Sequence, residues 1–164
     1  EARSGIMITG IPGHKVSVIR LHNIVIRFPG MGAADESGNS VPEDEKRYPE
    51  QFFFGSLPSY GMFIRHTEDV ELDQVRFDYT GEEGRPAFVL EDVNGFTLRD
   101  SKMHAEGKTV LDVKDSFDVL VSGCKVAGSP KSLVEASASE KNKIGLVENR
   151  IPKTTKLISY GGRK

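Results

Sequence analysis

Four eight-residue phrases decide how this chain folds: VELDQVRF (70–77), FTLRDSKM (96–103), VLVSGCKV (119–126) and IGLVENRI (144–151). Each carries apolar or small side chains at its first, third, sixth and eighth positions. Their starting points, 70, 96, 119 and 144, are 26, 23 and 25 residues apart, and IRLHNIVI (19–26) is a fifth copy. Self-similarity at a period of this size is the mark of a solenoid.

A second strand precedes each copy, marked by apolar pairs two residues apart: Ile6 and Ile8, Met62 and Ile64, Phe88 and Leu90, Leu111 and Val113, Val134 and Ala136. Spacing by two is strand periodicity, because alternate side chains leave a strand on opposite faces. Each repeat is thus a coil of short strands joined by tight bends, and stacking coils buries each pair against its copies above and below. A leucine-rich horseshoe has a similar period but needs a helical or extended return, whereas two or three Val-, Ile- and Phe-bearing segments fill each period here. The expected fold is all-β: a parallel β-helix of about five coils, one domain over residues 1–164.

The period breaks once. Ile19 to Val70 is 51 residues, two periods with one recognisable coil. Residues 28–59 between them are rich in Pro, Gly and acidic side chains without alternation, and read as a long loop inserted between coils. A short helix is expected over residues 42–48, with Pro42 in its first turn and Glu43, Asp44 and Glu45 near the positive end of its dipole. Three successive aromatics, Phe52, Phe53 and Phe54, cannot all point one way, so the loop packs back on the solenoid as a plug or walls a cleft.

The bulk numbers narrow the partners. A formal charge of −2 and a pI near 6.1 argue against nucleic acid, which calls for a concentrated basic surface. No apolar run approaches the roughly 20 residues of a membrane helix. Cys124 has no second cysteine to pair with and occupies an inward position, as a small core side chain. The histidines, His14, His22, His66 and His104, fall at different coil positions, so spacing implies no metal site, and no motif calls for a cofactor. Asp92 and Asp115 occupy equivalent bends and read as turn residues.

Two outward columns carry charge. With Met62 and Ile64 inward, Phe63 and Arg65 point out, and Thr9, Arg65, Glu91, Lys114 and Ser137 align. This is either a solvated ion-pair ladder or, with Tyr60, Phe63, Arg65, His66, Arg85 and Glu91, the lining of a groove for an acidic polysaccharide or oligosaccharide. On another face Arg76, Lys102, Lys125 and Arg150 align. Like charges in a column repel, and either nearby Glu71, Asp73, Asp78 and Glu148 or a bound polyanion relieves them.

The segments ITGIPGH (8–14), VPEDEKRYPE (41–50) and LPSYGMFIRH (57–66), together with the coil IRLHNIVI, resemble the C-terminal coils of polygalacturonase-like enzymes, glycoside hydrolase family 28. The resemblance extends to about Met103. It implies a right-handed parallel β-helix of the pectin-lyase-like kind, export to the periplasm or outside the cell, and inverting hydrolysis of a galacturonate-containing polysaccharide. The family's catalytic Asn-Thr-Asp and Asp-Asp motifs and its Gly-His-Gly do not occur: Gly13-His14 is followed by Lys15, and no two aspartates are adjacent. No catalytic residue is assigned, and the chain alone is expected to be inactive. Gly61-Met62-Phe63-Ile64-Arg65 resembles the family's Gly-x-Arg-x-Lys strand, with Phe63 in place of its arginine.

The chain enters a coil strand at Ile6 with no preceding cap, methionine or signal pattern, so it reads as the C-terminal part of a longer solenoid. The alternatives are a non-catalytic polysaccharide-binding module and a structural solenoid that self-associates through its uncapped N-terminal end. At the other end Lys153, Lys156, Arg163 and Lys164 surround a short strand at Leu157 and Ile158.

Overall fold

A computed structural model describes residues 5–46 and 50–161. It is a parallel β-solenoid, 55% strand and 7% helix, of about four turns. The strands follow in order as β1 (Ile6–Thr9), β2 (Val16–His22), β3 (Val25–Phe28), β4 (Met62–Asp73), β5 (Arg76–Tyr79), β6 (Phe88–Arg99), β7 (Lys102–Glu106), β8 (Thr109–Lys114), β9 (Phe117–Ser122), β10 (Lys125–Ser129), β11 (Ser132–Ala136), β12 (Ile144–Val147) and β13 (Lys156–Tyr160). The expected count of five coils is slightly high. The last phrase, IGLVENRI, supplies β12, but among the described residues its third segment makes only one bridge, between Arg150 and Lys125.

The apolar pairs stack in the expected register. Ile6, Met62, Phe88, Leu111, Val134 and Ile158 are successive rungs of one column, and Ile8, Ile64, Leu90, Val113, Ala136 and Tyr160 of the next. The phrases behave likewise: Ile19, Val70, Phe96, Val119 and Ile144 align, as do Leu21, Leu72, Leu98, Val121 and Leu146. These columns form one continuous core in which the central members are 0–2% exposed. One sheet runs β1-β4-β6-β8-β11-β13, with β2, β9 and β12 as its continuation around the bends; a second, four-stranded sheet runs β3-β5-β7-β10.

The bends are columns too. One residue per winding takes a left-handed backbone: His66, Asp92 and Asp115 at the first bend, Val18, Asp69, Gly95 and Asp118 at the second, and Asn23, Gln74, Asp100, Gly123 and Glu148 at the third. A single left-handed residue reverses the side-chain alternation and turns the strand, and Asn, Asp and Gly accept that geometry most readily. Backbone pairing continues through the third bend, where the amides of Asn23, Gln74, Asp100 and Gly123 donate to Asp73, Arg99, Ser122 and Val147 one winding on.

The insertion leaves after β3 and returns at β4. Among its described residues the regular structure is two single-turn helices, Ala34–Gly38 and Gln51–Phe54. The helix expected over 42–48 is absent from 42–46, which hold only a turn at 45 and 46; residues 47 and 48 lie outside the described residues, as do Arg163 and Lys164. Arg65 takes up the Val41 and Pro42 carbonyls, which a helix would have used internally. The three phenylalanines divide as expected: Phe54 is 7% exposed, Phe53 half-buried and Phe52 70% exposed. Val41, Phe54 and Leu57 cover Phe63 and Val89 on the outside of the first sheet, making a second, smaller apolar cluster. The insertion is a plug over that face. Val16, Val18 and Val25, on β2 and β3, are exposed.

Candidate functional site

The groove expected around Arg65 is closed. Phe63 and Arg65 do point away from the solenoid core, but the plug lies on them, leaving Phe63 0% and Arg65 4% exposed. Arg65 Nη1 donates to the Val41 carbonyl at 2.7 Å and Nη2 to that of Pro42 at 3.1 Å, while Glu43 stands 3.2 Å from Nη1. An aromatic with no exposed face cannot stack on a sugar, which corrects the role given to Phe63. Tyr60 lies inside the core, edge-on to Phe28 and Tyr79, with its hydroxyl donating to the His104 carbonyl at 2.6 Å. Arg85 belongs to another buried place: its Nε donates to Glu83 at 2.8 Å and its Nη1 to the Leu57 carbonyl. Four of the six candidate residues therefore serve packing and the anchoring of the plug.

His66 and Glu91 remain partly accessible. Glu91 stands between Arg65, at 4.0 Å, and Lys114, at 3.5 Å, so the alternating column is an ion-pair ladder. The Glu91–Lys114 pair, in contact with water, is worth at most about 1 kcal/mol. His66 Nδ1 is 2.7 Å from Asp92 and Nε2 is 3.1 Å from Glu43. Lys15 reaches the same Asp92 carboxylate at 2.7 Å. Asp92, expected to be a turn residue, is both that and the hub of this cluster.

Beyond the plug the same face carries two carboxylates that sequence reasoning passed over, Asp112 and Glu135, paired in register on β8 and β11. They line a small pocket with Lys114 and Ser137. Burial, outweighing Lys114 at 3.6 Å and reinforced by Glu135 and Glu91, raises the Asp112 carboxyl above its ordinary range. The signal was available: the residue between Leu111 and Val113 and the one between Val134 and Ala136 are both acidic. Cys124 is buried, and burial pushes its thiol up to about 11, which keeps it unreactive at neutral pH.

The second sheet presents an exposed basic surface. Arg76, Lys102 and Lys125 are consecutive rungs of β5, β7 and β10, and Arg150 extends the column through its bridge to Lys125. All four are exposed. Of the acids expected to neutralise them, Glu71 pairs with Arg20 and Arg99, and Asp73 with His22. Among the described residues Asp78 alone reaches the column, 3.6 Å from Arg76, and Glu148 pairs with none of the four cations. Among the described residues Lys102, Lys125 and Arg150 have no ion-pair partner.

A parallel row of side chains makes the column one wall of a groove. Asp78, His104 and Ala127 stand opposite, and Phe77, Met103 and Val126 form the floor, enclosing about 310 Å³. His104 is held between Asp78 at 3.4 Å and Glu106 at 3.1 Å, and stacks on Tyr79 with 4.8 Å between ring centres. Cations spaced by one rung, about 4.8 Å, with carboxylates across the groove, can engage regularly spaced negative groups and accept hydrogen bonds from hydroxyls beside them. Among the described residues no group of three or more His, Cys, Asp or Glu is placed to hold a metal ion. No family model, curated protein or solved structure matches this chain.

Proposed function

We propose that this chain binds a linear acidic polysaccharide, of the galacturonate-containing kind, along Arg76, Lys102, Lys125 and Arg150, and that this is the part a β-helical portion plays in a pectin-directed glycoside hydrolase. The observation that carries the reading is the column itself: four exposed like charges one rung apart, three without a counter-ion among the described residues. Such a column is repulsive when empty, and a polyanion with charges at a similar interval relieves it. Asp78 across the groove disfavours a densely charged polyphosphate and favours a ligand that alternates carboxylates with hydroxyls.

Calorimetric titration with oligogalacturonides of increasing length tests the reading. Affinity rises with length up to the span of the column and falls with added salt, and the Lys102→Gln/Lys125→Gln variant binds at least about a hundredfold more weakly, two charge-assisted contacts being worth about 1.5–3 kcal/mol each. Equal binding by the variant and the parent removes the column from the site. Three exposed valines on β2 and β3, Val16, Val18 and Val25, favour a second reading, a solenoid that self-associates. Sedimentation at rising concentration tests it, and a constant sedimentation coefficient rejects it.

A further inference from the structure

We propose that protonated His66 is a clasp that holds segment 41–43 of the insertion onto the solenoid, so that loss of the proton loosens the plug over Phe63 and Arg65. The inference rests on residues separate from the basic column and does not depend on the polysaccharide reading.

Both ring nitrogens of His66 face carboxylates: Nδ1 lies 2.7 Å from Asp92 Oδ2, and Nε2 lies 3.1 and 3.2 Å from the two oxygens of Glu43. A neutral imidazole has one N–H and one lone pair, so it can donate to one of these partners while its lone pair opposes the other. Only the imidazolium satisfies both. Glu43 belongs to the insertion and Asp92 to the first bend of β6, so the ring spans the two parts that the clasp joins.

The charged groups around the ring decide which contact yields. Asp92 is fixed from its own side by Lys15, whose ammonium meets both the carboxylate at 2.7 Å and the Asp92 carbonyl at 3.0 Å. Burial works against ionisation of Asp92, but the bonds from Lys15 and His66 outweigh it and hold the carboxyl below its usual range. Glu43 is 42% exposed in its side chain and has Arg65 at 3.2 Å, and Glu91 faces Arg65 from beyond at 4.0 Å. Asp115 occupies the next rung of the bend past Asp92. When the ring loses a proton, the shorter bond to the anchored Asp92 keeps the remaining one and the Nε2 lone pair turns on Glu43. Segment 41–43 then depends on Arg65 and on the packing of Val41.

Val41 reports the state of the clasp, because it packs in the same cluster as Phe54 and Phe63 and its methyl resonances feel those rings. The test follows Val41 methyl and His66 ring resonances together by NMR from about pH 5 to 8, where imidazoles titrate. The expected result is that the Val41 methyls move toward their unstructured positions with the midpoint of the His66 ring. His66→Asn keeps a residue that accepts the left-handed backbone at φ 49°, and it holds the Val41 methyls at their high-pH positions throughout. Glu43→Ala, which can neither donate to nor accept from the ring, does the same, while the Val121 methyls report that both variants are folded. The proposal is overturned if the Val41 resonances ignore the His66 titration, or if either folded variant retains the low-pH positions of the parent.

Discussion

Asn149 Oδ1 accepts the Cys124 amide at 3.0 Å while its Nδ2 donates to the Val121 carbonyl at 2.8 Å, so one side chain mends the backbone of the winding beneath it. Ser101 does similar work at the same corner two windings earlier, its hydroxyl accepting the Val75 amide at 3.1 Å, and Ser116, at another bend, accepts that of Val93 at 3.0 Å. These inward polar residues interrupt the apolar columns where a corner leaves an amide without a rung.

Removing that repair is costly, because a buried donor without an acceptor forfeits its solvation. Asn149→Ala is expected to lower unfolding free energy by about 1–3 kcal/mol, measured by urea denaturation with the slope unchanged.

Val18 is a β-branched residue with φ of 59° at a bend where Asp69, Gly95 and Asp118 stand in the windings above, and it is 67% exposed. Almost no packing is lost on replacing it. Val18→Asn is expected to stabilise the fold by about 1 kcal/mol, read as a higher melting temperature; an unchanged or lower value contradicts the strain argument.

Asp112 carries a carboxyl raised in the folded state, chiefly by burial. Ionising it therefore opposes folding: its contribution is most favourable below its unfolded pKa and is lost as pH rises through the folded one. Asp112→Asn is expected to match the parent in acid and to be more stable at neutral pH, a divergence that melting curves at several pH values will show. Parallel curves would mean that Asp112 does not titrate differently on folding.

Val121 sits at 1% exposure between Leu98 and Leu146. Val121→Asp places an unpaired charge in the dry core, and a loss exceeding about 4 kcal/mol is expected, enough to leave the chain unfolded by circular dichroism.

The repeat made the windings legible because a parallel stack forces like on like: once Val70, Phe96 and Val119 were aligned, the register of every strand between them followed. The bends were less legible, since Gln74, Asp100, Gly123 and Glu148 share a backbone angle rather than a side-chain type. The candidate site fared worst. Phe63 and Arg65 were correctly placed outside the coil, and the three phenylalanines pointed to a loop that packs back, but alternation within a strand says nothing of where such a loop lands, and Val41, Phe54 and Leu57 show no periodicity that would have set it over Phe63 and Arg65. The basic column was read in the right register; what sequence could not supply was the direction in which Glu71 and Asp73 turn, toward Arg20 and His22 rather than toward Lys102 and Lys125.

Arg150 is held to its neighbour by a lone bridge rather than by a full strand. In a stack whose layers touch only the next layer, fraying starts at the extremities, so the last cation of the column is the first to drift out of line. A ligand long enough to reach it would act as a splint, and the thermal resistance of that terminal layer should grow with ligand length rather than with ligand concentration alone.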